Sequence, residues 1–364
     1  MPIQTAIDSI SNSQGSPFGF KNRIINGAMV IDQRNAGAEV SPAGNNTYCI
    51  DRWMTNSNVS SKFKIQQNAG SVTPPTGFTY YLGATSLSAY TVGSSDSFGL
   101  VQKIEGYNFA DLDFGKSTAK TVTISFWVRS SLTGTFGGSL TNGDINRSYP
   151  FTYTINAANT WEKETITIPG DTTGSWLTTN GIAAWVWFGL GMGSTLSGTA
   201  GAWAGAEYRS ATGGTSVVGT NGATFYITGV QVEKGTQATE FDYRDFGREL
   251  QLCQRYLPAY NFSAGNTPSA GGVAYSTTAT VMNLIHPVQT RIAPTGITVT
   301  GTFNSYNNSG GNAGNFSSIT LGQFQGTYSS IINCTGGSGL VQGNATLLLS
   351  PSGASQILLT GCEL

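Results

Sequence analysis

Charge is scarce in this chain. Of its 364 residues only 10% are Asp, Glu, Lys or Arg, against roughly a quarter in an average soluble domain. The 18 basic and 19 acidic residues nearly cancel, leaving a net charge of −1. With no cluster of Lys and Arg to displace counterions, a nucleic-acid partner is not expected. Histidine is scarcer still, His286 being the only one. A hydrolase triad or a zinc site usually needs one or more, and His286 lies in NLIHPV within a strand-like stretch, so a structural role is expected for it. No apolar run approaches the ~18 residues that span a bilayer, so membrane insertion is not expected. The opening MPIQTAIDSISNSQGSPFGF lacks the basic flank and apolar core of a secretory leader. The four cysteines, Cys49, Cys253, Cys334 and Cys362, are scattered without CxxC spacing. They read as free, largely buried thiols of a protein made in a reducing cytoplasm, with a meeting of Cys334 and Cys362 left open. No EF-hand-like spacing occurs, and neither a metal nor a cofactor is expected.

What the chain has instead is glycine, 48 of them, with abundant Ser, Thr and Asn. Gly and Asn tolerate the positive φ of tight hairpins, so this composition suits many short strands. A hydrophobic fraction of 39% with 11% aromatics leaves enough apolar surface to bury, which argues against disorder. Val122, Ile124, Phe126 and Val128 alternate with polar or outward residues, as a strand with one core face requires. Phe151–Ile155 and Trp161–Ile168 read as the next pair, joined by AANT. Ala183–Leu190 is nearly continuous in apolar residues, so a central strand is expected there. The apolar phase shifts at Gly229 between Phe225/Ile227 and Val230/Val232, which a bulge would reconcile. The whole predicts an all-β chain. Residues 1–20 form a polar arm, 21–244 a jelly-roll β-sandwich, 245–260 a short junction helix, and 261–364 a second, smaller β-sandwich.

The helix is predicted from Phe246, Leu250, Cys253 and Leu257 at helical spacing, with Asp245 as N-cap and Pro258 past the end. So short a helix is marginal alone, so its stripe must pack against the sandwich or against copies of itself. In the second region, strands are expected at Val273–Val288, Gly296–Phe303, Ile319–Phe324, Tyr328–Cys334, Leu340–Ser350 and Gln356–Gly361.

Little of the sequence looks catalytic. The DFG at Asp113–Gly115 has no kinase context, and GLGMG at Gly189–Gly193 lacks the strand–turn–helix setting of a phosphate loop. Two carboxylates are the minimum for glycoside hydrolysis. Asp111 with Asp113, Glu162 with Glu164, and Glu207 with Asp144 are the available pairs, the first two reading as i, i+2 neighbours on a strand. Solvated strand faces explain such pairs more simply, and no catalytic residue is assigned. Aromatics are the better binding groups, because sugar rings stack on them while polar neighbours read hydroxyls. Trp203, Glu207, Tyr208 and Arg209 in the Gly-rich Gly191–Gly222 segment are one candidate binding set. Tyr306, Asn307 and Asn308 in the loop Ser305–Asn315 are the other. Trp161, Trp176, Trp185 and Trp187 read as core, and Asp51 with Arg52 as a structural pair.

Three stretches carry a resemblance: KNRIINGAMVIDQRN at Lys21–Asn35, TYCIDRW at Thr47–Trp53, and FYITGVQVEKGTQATEFDYRDFGRELQLCQRY at Phe225–Tyr256. They resemble segments of bacteriophage tail-fibre and other virion surface proteins, and bracket a domain similar to carbohydrate-binding-module-like jelly rolls. Thr277–Gly301 is similar to the small β domain that often follows. The resemblance implies a structural, receptor-binding virion protein that attaches to host surface glycans. It also implies a homotrimer joined near the helix, with an N-terminus on tail or baseplate partners. A capsid decoration or baseplate protein without glycan binding is the alternative, and a polysaccharide depolymerase is the third reading.

Overall fold

The computed structural model describes residues 20–262, 270–307, 311–312, 314–351 and 355–364. The expected arm, apart from Phe20, and Asn308 lie outside these residues. The chain divides into two compact units, one running to Phe246 and the other from Gly247 to Glu363.

The first unit is built from two antiparallel sheets. One has six strands in the order β1 (Thr47–Ile50), β2 (Trp53–Ser57), β5 (Ser97–Glu105), β10 (Ile182–Met192), β7 (Gly134–Asn142) and β8 (Ser148–Ile155). The other has five: β3 (Phe63–Gln67), β4 (Leu82–Ser86), β13 (Thr224–Lys234), β6 (Val122–Ser130) and β9 (Glu162–Ile168). Their inner faces close on one core. Val122, Ile124, Phe126 and Val128 of β6 are fully buried, as their alternation requires. Phe126 meets Phe188 of β10 edge-on at 4.9 Å, an arrangement aromatic pairs favour. The predicted jelly-roll β-sandwich is what forms.

β10 is central, hydrogen-bonded to β5 on one side and β7 on the other. That explains its near-continuous apolar run: Val186, Phe188 and Leu190 face the core, while Trp185 and Trp187 stack at 5.1 Å in a separate outer cluster. The bulge expected in β13 is present, with the register shifting between Thr228 and Gln231 and Gly229 at φ 62°. One pairing expectation fails. β8 pairs β7 and β9 pairs β6, so the AANT connection crosses between sheets instead of closing a hairpin.

The segments that open and close this unit interlock through buried amides. Asn22 accepts from the amides of Ile24 and Val232 and donates to the Val230 carbonyl. Asn26, in the left-handed region at φ 58°, accepts from Ile31 N and donates to the carbonyls of Ile31 and Asp51. Trp53 Nε1 reaches back 3.0 Å to the Asn26 carbonyl. Asp51 accepts from Gln33, and Arg244 donates to the carbonyls of Ile24 and Asn22. Gly27 admits no side chain, since a Cβ there would stand 2.2 Å from the Val230 oxygen.

The second unit is a smaller sandwich. A three-stranded sheet, β14 (Ala259–Phe262), β23 (Ser355–Thr360) and β17 (Gly296–Thr300), covers one face of a seven-stranded sheet. The seven run β19 (Gly311–Asn312), β18 (Asn304–Asn307), β22 (Ala345–Leu349), β15 (Ala270–Ala274), β16 (Ala279–Ile285), β21 (Ser329–Thr335) and β20 (Ser318–Gln325). Phe262, Met282, Leu284, Phe303, Ile332, Leu348, Ile357 and Leu359 form its core. The single strand expected over Val273–Val288 is a hairpin, β15–β16, turning at Tyr275–Thr278.

The helix α1 (Phe246–Gln254) is three residues shorter than predicted, because the amides of Tyr256 and Leu257 both turn back to the Cys253 carbonyl. Its stripe is graded. Phe246 is 62% exposed and Leu250 half-buried, whereas Cys253 is buried and Leu257 packs on Ala259 and Leu358. All four cysteines are free and buried, so Cys334 and Cys362 form no disulfide. Burial pushes the Cys49 and Cys334 thiols up to about 12, and Cys362 to about 11, far from a reactive thiolate.

His286 is structural, as expected. It is buried at the end of β16, with Nδ1 3.1 Å from the Thr327 carbonyl and Nε2 2.9 Å from Ser330 Oγ. A carbonyl only accepts, so Nδ1 carries the proton and Nε2 accepts from the serine. Burial lowers its pKa below the usual value, only partly offset by the Thr327 bond. A group with a depressed folded-state pKa contributes stability that is present above the unfolded value and lost as pH falls. We therefore expect the melting midpoint of the second unit to fall as pH drops from 6.5 towards 5, and less so in His286→Gln. Equal pH sensitivity in both proteins would contradict this assignment.

Candidate functional site

The first candidate loop is a strap. Between β10 and β13 the chain lies over the outer face of the six-stranded sheet and forms a parallel pair, β11 (Ser197–Gly198) with β12 (Ser210–Ala211). Sheet glycines admit it: Ser210 Oγ would lie 2.3 Å from a Cβ at Gly137 and 2.9 Å from one at Gly189. Its candidate residues are anchors. Trp203 donates from Nε1 to the Pro169 carbonyl at 2.7 Å and meets Tyr149, Trp176 and Phe114 edge-on at 5.3, 5.6 and 5.9 Å. Tyr208 lays its ring on Gly198. Arg209 sits 5.1 Å over the Trp187 ring, donates to Asn56 Oδ1 at 2.7 Å and Ser97 Oγ at 3.1 Å, and pairs with Glu207. A desolvated cation over an indole holds the strap to the sheet, and the Glu207 side chain is 45% exposed.

The first two carboxylate pairs sit in different settings. Asp111 and Asp113 lie around the 3-10 turn Ala110–Leu112, not on a strand, and are bound to Arg23 and Lys116 at 2.7 Å. On β9, Glu162 accepts from the amides of Asn156 and Ala157. Burial raises its pKa, but these bonds outweigh burial and hold it below the ordinary value. Glu164 is raised by burial and by the charge of Glu162. Among the described residues no group of three or more His, Cys, Asp or Glu is placed to hold a metal ion.

A cleft of about 290 Å³ opens on the outer face of the five-stranded sheet. Its floor is Gly83, Thr85, Thr224 and Tyr226, and its rim is Glu39, Lys64, Gln66 and Gly70. The turn Asn68–Ser71 presses so closely on the sheet that a Cβ at Gly83 would be 2.6 Å from Ala69 Cβ and 2.7 Å from the Tyr226 ring. Tyr226 is fixed by Tyr81 at 5.2 Å and by Arg129 at 5.5 Å. At the rim, Lys64 and Glu39 form a half-exposed ion pair of 2.6 Å, worth little to stability but available to a ligand. Hydroxyls, an amide and both signs of charge converge on a space near the lower limit for small-molecule sites. Sequence reasoning missed it because its lining comes from separate stretches around 39, 64–70, 83–85 and 224–226.

The second candidate set lies on the outer face of the seven-stranded sheet. The register places Tyr306, Leu347, Gly271, Asn283 and Ile331 in one row across it. Tyr306 is 44% exposed, Asn307 belongs to β18, and Asn308 lies outside the described residues. The row ends near Phe324, Ile285 and Tyr328, which are exposed and were not singled out in the sequence.

No family model matches the chain, and no curated protein matches it in sequence. Among solved structures, it is similar to the enzymatically active domain of tailspike protein 4 of bacteriophage CBA120. Identity there is 10%, covering 58% of this chain and 21% of that one, with a TM-score of 0.33. It is also similar to TmCBM61, solved with beta-1,4-galactotriose, at 13% identity, 59% and 99% coverage and a TM-score of 0.30. The family 11 carbohydrate-binding module of Clostridium thermocellum cellulase Lic26A-Cel5E matches at 12% identity, 56% and 99% coverage and 0.27. The strand order of the two sheets establishes the fold of the first unit.

Proposed function

We propose that this chain is a phage tail-fibre or receptor-binding protein of the virion surface that attaches to host glycans by binding, without catalysis. The cleft beside Tyr226 is the observation that carries the glycan half: a fixed floor of hydroxyls under a rim with one donor cation and one acceptor anion. Saccharide hydroxyls both donate and accept, so such a rim serves them in either sense. The virion half is supported by the interlocked Asn22, Asn26, Asp51 and Arg244, which are the residues of the resembling segments. A homotrimer would bury the exposed part of the α1 stripe around Phe246 and multiply weak single-site affinity through many copies. Tail or baseplate partners would take the N-terminus.

The test is adsorption of purified protein to host cells, with the double variant Glu39→Gln, Lys64→Met beside it. We expect saturable adsorption, weakened about tenfold or more in the variant, the loss of a charge-assisted hydrogen bond or two. No adsorption of the intact protein would leave a decoration or baseplate role as the better reading.

A further inference from the structure

We propose that the β20–β21 hairpin of the second unit is a separate saccharide site for an uncharged glycan. This deepens the glycan-attachment reading and rests on it. Phe324, Ile285 and Tyr328 are 73%, 70% and 66% exposed, the three most exposed large apolar side chains among the described residues. All three stand at one end of one sheet, where β16 ends and β20 turns into β21. Phe324 shares an open groove with Ile331, and large apolar side chains left exposed beside such a groove mark an interaction site.

The exposure is held in place. Leu321 pairs with Ile332 and Gln325 with Ser330, so three residues of β20 face one of β21 in a bulge that carries Phe324. Bulges re-aim side chains, and they are frequent beside binding sites. This one is pinned by the Gln325 amide, which donates to the carbonyls of Gly322 at 3.1 Å and Ile331 at 3.0 Å. The turn is fixed in the same way, its Thr327 carbonyl accepting from Thr290 N at 2.8 Å and facing His286 Nδ1. A groove of about 720 Å³ follows, open along its length and lined by Phe324, Ile331, Asn283 and Gln323.

The chemistry of the lining selects the ligand. Between Tyr256 and Cys362, Arg291 is the only side chain with a formal charge, and it is turned onto the Cys362 carbonyl at 2.8 Å. A charged polymer meets no counter-charge here. A purely apolar segment would bury the amides of Asn283 and Gln323 without partners, which is costly. A neutral saccharide chain satisfies both demands, its ring faces on Phe324 and its hydroxyls on the amides.

Affinity electrophoresis of the intact chain in gels containing dextran, mannan, galactan or mixed-linked β-glucan tests the proposal. The variants are Phe324→Ala, Asn283→Ala and, for the other cleft, Lys64→Met. At least one polymer is expected to retard the wild type, and Phe324→Ala to weaken that by about tenfold with its melting midpoint unchanged. Retardation insensitive to Phe324→Ala but lost in Lys64→Met overturns this site and leaves the glycan reading standing. No retardation by any of the four removes both. Dissociation of an oligomer by Phe324→Ala, seen by sedimentation, would make the surface an interface between copies and overturn the proposal.

Discussion

Trp53→Ala is expected to lower the stability of the first unit by about 4 kcal/mol, the range for removing a buried Trp from a core. The side chain is fully buried, lies 6.3 Å from Phe188, and donates to the Asn26 carbonyl, which also accepts from Met29 N to close the turn. For a unit of this size each kcal/mol moves the melting midpoint by roughly 2–4 °C, so a drop of roughly 8–16 °C should follow. Trp53→Phe separates the two contributions. It keeps most of the ring but removes the donor, and should cost about 1–3 kcal/mol. Asn26→Ala should couple to both, since one residue holds the turn and the other caps it. A loss under about 1 kcal/mol for Trp53→Ala would mean that the opening segment is not part of the cooperative unit.

Gly272→Ala is the corresponding expectation for the second unit, at about 3 kcal/mol or more, the upper end for overpacking. An added Cβ would stand 1.9 Å from the Val281 oxygen and 2.7 Å from Met282 Cα. Both are backbone atoms of β16, so no rotamer relieves the clash, and β15 must move off the strand that carries Met282 and Leu284. Chemical denaturation followed by a probe in the second unit would measure it. Gly271→Ala is the control, because its nearest neighbour is a Leu347 methyl at 3.8 Å. Equal losses at the two positions would refute the steric argument.

Period-2 alternation made β6 legible, an unbroken apolar run made β10 central, and one displaced phase located the Gly229 bulge. Each signal is local and each reflects what a sheet face must bury. What failed was long-range. AANT looks like a hairpin turn, but which sheet receives β9 depends on β6, over thirty residues earlier. The loop around Trp203 has the composition of a binding loop, and the same glycines serve a strap that must lie flush on a sheet. In Ile319–Phe324 the apolar phase slips from Ile319 and Leu321 to Phe324 across Gly322, the same kind of mark as at Gly229 but in too short a run to stand out. The cleft beside Tyr226 was out of reach, because no spacing links Glu39 to Thr224 until the sheet brings them together. The opening and closing segments were recognisable as a pair, although only the fold explains them: they are two halves of one buried amide network.

The near absence of charge between Tyr256 and Cys362 has a consequence for the medium in which this stretch works. Ionic strength acts through the Debye length, about 10 Å at 0.1 M and about 3 Å at 1 M, and it weakens only what charges contribute. A surface whose single arginine is already engaged offers that screening almost no purchase. Contacts made through it keep the same strength in dilute water and in brine, whereas any grip depending on Lys64 and Glu39 loosens as salt rises.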